Sequence, residues 1–289
     1  MKKHNQRIKN FLASKTPAPR LQSNTNGGTL ELMLYGDIGD DWFGIGPTAV
    51  AEQLRTAGDI SGILVRINSR GGDVFDGATI YNLLASQGVP VNVVIDGLAA
   101  SAASYIAMVG ETVTMGEGAM LMIHNPYCFA LGNANELRKT ADMLDKVRDS
   151  MLSGYMKRYS GTEDELKAAL DAETWMTADD AKKAGLCDEI AGAEADDAAK
   201  DMAAAFDLSI FRNVPKNLKN AGRKTKAEIT CPCQCAECVA GNCAGCSAPE
   251  CAYPECKDCP QQMSASASSV DAHLMRLRLH ERLAGIPAK

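Results

Sequence analysis

The sequence predicts an α/β fold of βαβ units around a largely parallel sheet. Three observations carry that expectation. Short apolar runs of β character alternate with helical patterns across residues 29–192. Glycine and proline punctuate the junctions, as in Asn68-Ser69-Arg70-Gly71-Gly72 and Gly88-Val89-Pro90. A long amphipathic helical pattern then follows the last of the apolar runs.

Taken in order, residues 30–35 form the first strand and 36–47 a turn-rich connection. A helix follows over 48–57, with Val50 and Leu54 four apart. The apolar run 62–67 is a strand that ends at the Gly-Gly pair. Residues 77–86 form a helix whose stripe is Ile80, Leu83 and Leu84. Strand 91–95, a small-residue helix over 101–109 and strand 119–124 complete the alternation. Residues 135–159 place Leu137, Ala141, Leu144, Val147 and Tyr155 on one face opposite a charged one. Such a helix is about 38 Å long. It either lies solvated on the body or projects onto a partner subunit.

Outside this body the composition changes. Residues 1–28 hold six basic and no acidic side chains, with Pro17 and Pro19, and read as a flexible basic arm. The body spans 29–192, and 193–230 is Ala-rich, polar linker with a helical stretch over 196–206. Nine of the eleven cysteines crowd into 231–260. The tail, 261–289, carries a short amphipathic helix over 271–283. A net charge of −6 gives no reason to expect nucleic acid. The most apolar stretch, 91–110, is broken by Asp96 and reads as buried strand and helix, not a membrane span. No apolar leader follows the basic start, so a cytoplasmic location is expected.

The chemistry concentrates in three places. Gly97-Leu98-Ala99-Ala100-Ser101-Ala102 follows a buried strand and leads into a helix. A serine there is exposed by the turn, and the next amide faces a developing oxyanion. Of four histidines only His124 lies in the body, at the end of a strand in the same sheet. Gly71-Gly72 ends a third strand, where a sharp turn presents free amides to a ligand. Each has a plainer reading too: close helix packing, a structural histidine, a simple turn.

Together these blocks resemble the Clp protease proteolytic subunit. The matching stretches are Ile67-Asn68-Ser69-Arg70-Gly71-Gly72, Gly97-Leu98-Ala99-Ala100-Ser101, Met122-Ile123-His124-Asn125-Pro126 and Trp175-Met176-Thr177-Ala178-Asp179-Asp180-Ala181, with Gly185 to Ile190 as a final strand. The resemblance covers about 30–192 and implies the ClpP/crotonase-type fold with a projecting handle helix over 135–159. It implies Ser101 as nucleophile, His124 as general base, and the amides of Gly72 and Ala102 as oxyanion hole. Residues 127–132 match the strand along which substrates lie, so Gly71, Phe129 and Leu131 are expected to bind substrate. A ring-forming homo-oligomer acting on polypeptides is also implied, with no cofactor for catalysis.

The sequence departs from the family pattern in three ways. The third triad position, usually Asp, is Glu173, with Asp171 as the other candidate. Arg70 stands where a proline usually precedes the Gly-Gly pair. The body also starts almost directly at its first strand, which weakens the expectation of a Clp ATPase partner. With the appended tails, these features resemble the Clp-like prohead proteases of phages and prophages, which trim scaffold and capsid proteins. Two other classes stay open: a crotonase-type acyl-CoA enzyme and a non-catalytic assembly protein.

The cysteine segment repeats C-x₂-C three times: Cys235 with Cys238, Cys243 with Cys246, and Cys256 with Cys259. In a chain with no export signal that spacing suits structural zinc, and nine sulfurs suffice for two ions.

Overall fold

The computed structural model describes residues 20–39, 44–192, 206–216 and 218. Among them an eight-stranded mixed sheet forms the centre. β1 (Arg20–Asn26) turns through Gly27 and Gly28 into β2 (Thr29–Tyr35) and pairs with it antiparallel. β2, β3 (Gly62–Ser69), β4 (Val91–Ala100) and β5 (Thr112–Gly116) then run parallel, joined by α1 (Pro47–Thr56), α2 (Val74–Ala85) and α3 (Ala102–Ala107). The parallel order follows from the crossover helices, which return each strand to the same end of the sheet.

β4 changes partner along its length. Asn92–Ile95 pair with β5, whereas Leu98–Ala100 pair with β6 (Met120–Ile123). β6 in turn pairs antiparallel with β7 (Thr174–Thr177), and β8 (Glu189–Ala191) adds parallel to β5. On the other side of β4 the register with β3 shifts between Ile67 and Ser69. The buried Asn68 side chain fills that irregularity by accepting the Leu98 N–H at 3.1 Å. The second half of β4 is thereby aimed away from the rest of the sheet, and it ends at Ser101.

The apolar alternation does what its period requires. Leu30, Leu32 and Leu34 of β2 and Ile63, Val65 and Ile67 of β3 are all buried, with Ile80 and Leu84 of α2 packed above them. Asp73 caps α2 by accepting the N–H groups of Phe75 and Asp76.

The long helix α4 (Ala134–Met156) starts with a capping box, Asn133 and Glu136, and buries only Leu152, Gly154 and Tyr155. Its first four turns therefore project from the body. The last turn is anchored to α3, where Tyr155 Oη lies 2.8 Å from Ser104 Oγ. Leu137 and Met143 on the projecting part are more than 40% exposed. α5 (Glu163–Asp171) and α6 (Ala178–Lys183) flank β7.

Two expectations are corrected. Residues 20–26, expected within a flexible arm, form β1. Their sequence is polar because the strand stands on the sheet edge and is held by backbone pairing rather than by burial. Residues 206–216 and 218, expected as linker, pack on the body: Phe206, Leu208, Phe211 and Val214 are buried against Leu98, Ala100, Met120 and Met122. The remainder of the arm, the helical stretch before Phe206, the cysteine segment and the tail helix lie outside the described residues. Among the described residues no helix is long and apolar enough to cross a membrane.

Candidate active site

Ser101 sits between β4 and α3 with φ 56° and ψ −127°, a backbone conformation costly for a non-glycine residue. Its N–H donates to Met122 O at 3.0 Å, which ties the end of β4 to β6 two residues before His124. The result is a short crossing distance: Ser101 Oγ lies 2.7 Å from His124 Nε2. For the imidazole to accept the serine proton there, Nδ1 must carry its own hydrogen.

Two glycines allow the close approach beside the hydroxyl. A Cβ on Gly71 would stand 2.4 Å from Ala100 O, 2.7 Å from Ser101 Cβ and 2.9 Å from Ala102 N. A Cβ on Gly72 would stand 1.7 Å from Ile38 O. The bridge there uses Gly71 C=O, which accepts from Ile38, and the Asp73 N–H, which donates to Ile38 O. The Gly72 amide takes no part in it. Ala102 is the first residue of α3, so its amide has no intrahelical acceptor. Neither expected oxyanion donor, the Ala102 amide that follows Ser101 or the Gly72 amide, is used by the backbone pairing around it.

Glu173 is the second non-glycine residue with positive φ, at 52°; among the described residues Ser101 and Glu173 are the whole set. It follows the end of α5, at a position usually given to glycine. Its carboxylate is buried. Oε1 accepts the backbone N–H groups of Arg212 and Asn213, both at 2.6 Å, and Trp175 Nε1 at 3.4 Å. Toward His124 it acts as a charge and not through a direct hydrogen bond. Asp171, the other candidate, accepts from the Asn125 side chain instead.

The imidazole is pressed between aromatic rings. Phe211 meets it edge-on at 5.6 Å between centroids, and Tyr127 lies at 5.6 Å on a tilt. The His124 pKa is lowered from 6.5 to about 4, chiefly by burial, with the Glu173 charge opposing the shift and the Arg212 charge adding to it. The base is thus neutral throughout the ordinary pH range.

The segment after His124 lies in neither helix nor strand from Asn125 to Leu131. Tyr127, Phe129 and Leu131 are exposed, Leu131 fully so. The single chain therefore departs from the expectation that 127–132 already forms a strand, while it leaves these side chains open to an incoming chain.

Metal ligation was expected from Cys235, Cys238, Cys243, Cys246, Cys256 and Cys259. All six lie outside the described residues. Among the described residues there is no cluster of three or more His, Cys, Asp or Glu side chains able to hold a metal.

Sequence reasoning missed Phe211, Arg212 and Asn213. The only local signal was a pair of phenylalanines, Phe206 and Phe211, in an otherwise polar stretch.

A serine hydroxyl hydrogen-bonded to a partly buried imidazole, at the strand ends of an α/β sheet, is the arrangement of a serine hydrolase. Residues 48–194, about half of the chain, match the Clp protease family, and the chain belongs to it. Members of that family are serine endopeptidases. The chain is 28% identical over 163 residues to the ATP-dependent Clp protease proteolytic subunit of Pleurastrum terricola, which covers 55% of this chain and 82% of that protein. It is 34% identical over 131 residues to a protein of the same name from Bacteroides fragilis, covering 44% and 63%. The chain thus spans less than two thirds of the second relative. Among solved structures, a ClpP1 mutant from Listeria monocytogenes matches 56% of this chain and 91% of its own, with 25% identity and a TM-score of 0.49.

Proposed function

We propose that this chain cleaves polypeptides through Ser101, His124 and Glu173. The observation that carries the reading is the 2.7 Å contact between Ser101 Oγ and His124 Nε2. His124 takes the serine proton as Oγ attacks the scissile carbonyl. The amides of Gly72 and Ala102 stabilise the negative oxygen that forms. His124 then returns the proton to the leaving amine, and water hydrolyses the acyl-enzyme by the same steps in reverse. Glu173 stabilises the imidazolium electrostatically. An extended substrate adds along residues 127–132, with backbone pairing giving affinity and Phe129 and Leu131 contacting its side chains. The acyl-CoA rival accounts for the glycine pair but leaves the serine–imidazole contact without a task.

A fluorophosphonate probe tests the reading. The adduct is expected on Ser101 and is expected to disappear in His124→Ala; an unlabelled but folded wild-type chain favours an assembly role instead. The depressed histidine pKa makes a further prediction. A general base must be neutral, so a lower pKa extends activity downward in pH. The acid limb of kcat/KM is therefore expected well below 6.5, the ordinary imidazole value. A limb at or above that value would contradict the downward shift.

For the biological role we favour trimming of capsid or scaffold proteins during head assembly of a phage or prophage. The Glu173 triad position and the cysteine-rich segment that follows the body support it. The names of the relatives support the alternative, degradation with an ATPase partner. Cleavage of unfolded protein without nucleotide, and no gain from an added Clp ATPase, separates the first role from the second. The projecting α4 with its exposed Leu137 and Met143 supports a ring of identical chains. Structural zinc held by the three C-x₂-C pairs stays a proposal that metal analysis of the purified protein checks.

A further inference from the structure

Residues 206–218 lie beyond the stretch that matches the family, yet they touch the site at three separate points. We propose that this segment is a working part of the site: it holds Glu173 and backs His124, and so positions the general base against Ser101. The proposal rests on the roles given above to Ser101 and His124.

The first contact is apolar. Phe206, Leu208, Phe211 and Val214 cover one face of β4 and β6, the strands that end at Ser101 and His124. Without them Leu98, Ala100, Met120 and Met122 would face water directly under the two reacting groups. Phe211 completes this layer by meeting both Trp175 and the His124 ring edge-on, each at 5.6 Å.

The second contact is a pair of charge-assisted hydrogen bonds. The N–H groups of Arg212 and Asn213 converge on one carboxylate oxygen of Glu173, and Asn213 Nδ2 donates to Ala172 O at 2.6 Å. Two amides on one oxygen define the direction of the carboxylate more tightly than packing alone. They also hold a residue whose backbone is already in a costly conformation. The third contact is Arg70. It pairs bidentately with Asp37 and reaches Asp207 O at 2.9 Å through Nη1.

Arg70 and Glu173 are two of the positions where this sequence departs from the family pattern. Both longer side chains are the ones that engage the segment. A proline could not donate to Asp207 O, and an aspartate would be one methylene shorter toward the amides. Ser101 and His124 both stay partly exposed, so the segment supports the site from behind and does not cover it.

The test uses the full-length chain and compares Phe211→Ala with Phe211→Leu, taking Ser209→Ala, an exposed position of the same segment, as control. Each is measured for unfolding, fluorophosphonate labelling of Ser101, and kcat and KM against pH. The charged groups acting on the imidazole, Glu173 and Arg212, are unchanged in all three variants. Phe211→Ala is expected to lower kcat about tenfold or more with KM little altered. Its acid limb is expected to move up toward 6.5 as water reaches the ring. Phe211→Leu is expected to restore most of both, and it carries the reading if the alanine variant does not fold. A folded Phe211→Ala with unchanged kcat and acid limb overturns the proposal. So does a loss of kcat with the limb unmoved and no recovery in Phe211→Leu, which marks a merely structural role. Failure of the unaltered chain to label at Ser101 removes the underlying reading, and this inference with it.

Discussion

Ser101→Ala is expected to lower peptide turnover by about 10⁵–10⁶-fold. The hydroxyl is the atom that forms the acyl bond, and it is the group hydrogen-bonded to His124 among the described residues. His124→Ala is expected to cost about as much, because an unassisted hydroxyl at neutral pH is a poor nucleophile. The double variant should be scarcely worse than either single one, since the two groups act as a unit. Glu173→Gln is expected to cost less, about 10⁴-fold at most, because the acid orients and stabilises but does not react. Steady-state rates on an unfolded protein substrate, with far-UV spectra to confirm folding, measure all four. Appreciable turnover in Ser101→Ala would transfer the chemistry to another residue.

Gly72→Ala is expected to damage both folding and catalysis. The added Cβ would fall 1.7 Å from Ile38 O, 2.8 Å from its carbonyl carbon and 3.0 Å from its nitrogen. All three are backbone atoms, in a residue already bridged to Gly71 and Asp73, so no flexible side chain can move aside. Overpacking of this kind typically costs about 1–3 kcal/mol, and a clash against backbone lies at or above the upper end. Any shift that relieves it also displaces the Gly72 amide, and losing one oxyanion donor costs about 10²–10³-fold in kcat. Gly192→Ala, with nothing within 4 Å of its would-be Cβ, is the control. Denaturant midpoints and kcat read the two effects separately. A Gly72→Ala protein as stable and as active as the parent would remove this glycine from both roles.

The parts legible in advance are those whose signal is local. β2, β3 and β4 announce themselves through buried alternating or continuous apolar residues, and the Gly-Gly pair through the turn it permits. α4 announces itself through its period; its structure begins one residue earlier and ends three earlier than expected, at a capping box and a frayed last turn. Ser101 and His124 are visible because strand ends carry them. By contrast, β1 has no apolar period to read, since an edge strand needs only backbone partners. β5 is hidden for another reason. It buries Val113, Met115 and Gly116, but it is only five residues long, and only residues 108–111 separate it from the end of α3.

Within the site the division is sharper. The choice between Glu173 and Asp171 cannot be made from residue type, because both are acids at the end of one helix. Their surroundings differ: Asp171 accepts from the Asn125 side chain, while Glu173 is buried and accepts the Arg212 and Asn213 amides. The role of Phe211 is equally hidden, because its contacts are with strands about 90–110 residues earlier in the chain.

By itself the sequence determined the alternation of β2, β3, β4 and β6 with their helices, the serine and histidine at two strand ends, and the Gly-Gly turn. Those features depend on periodicity and backbone freedom, which neighbouring residues set. The tertiary structure alone decided which acid is buried against the Arg212 and Asn213 amides, and that Phe211 meets the imidazole edge-on. Those depend on surfaces brought together from distant parts of the chain, where burial and hydrogen-bond direction exist only after folding.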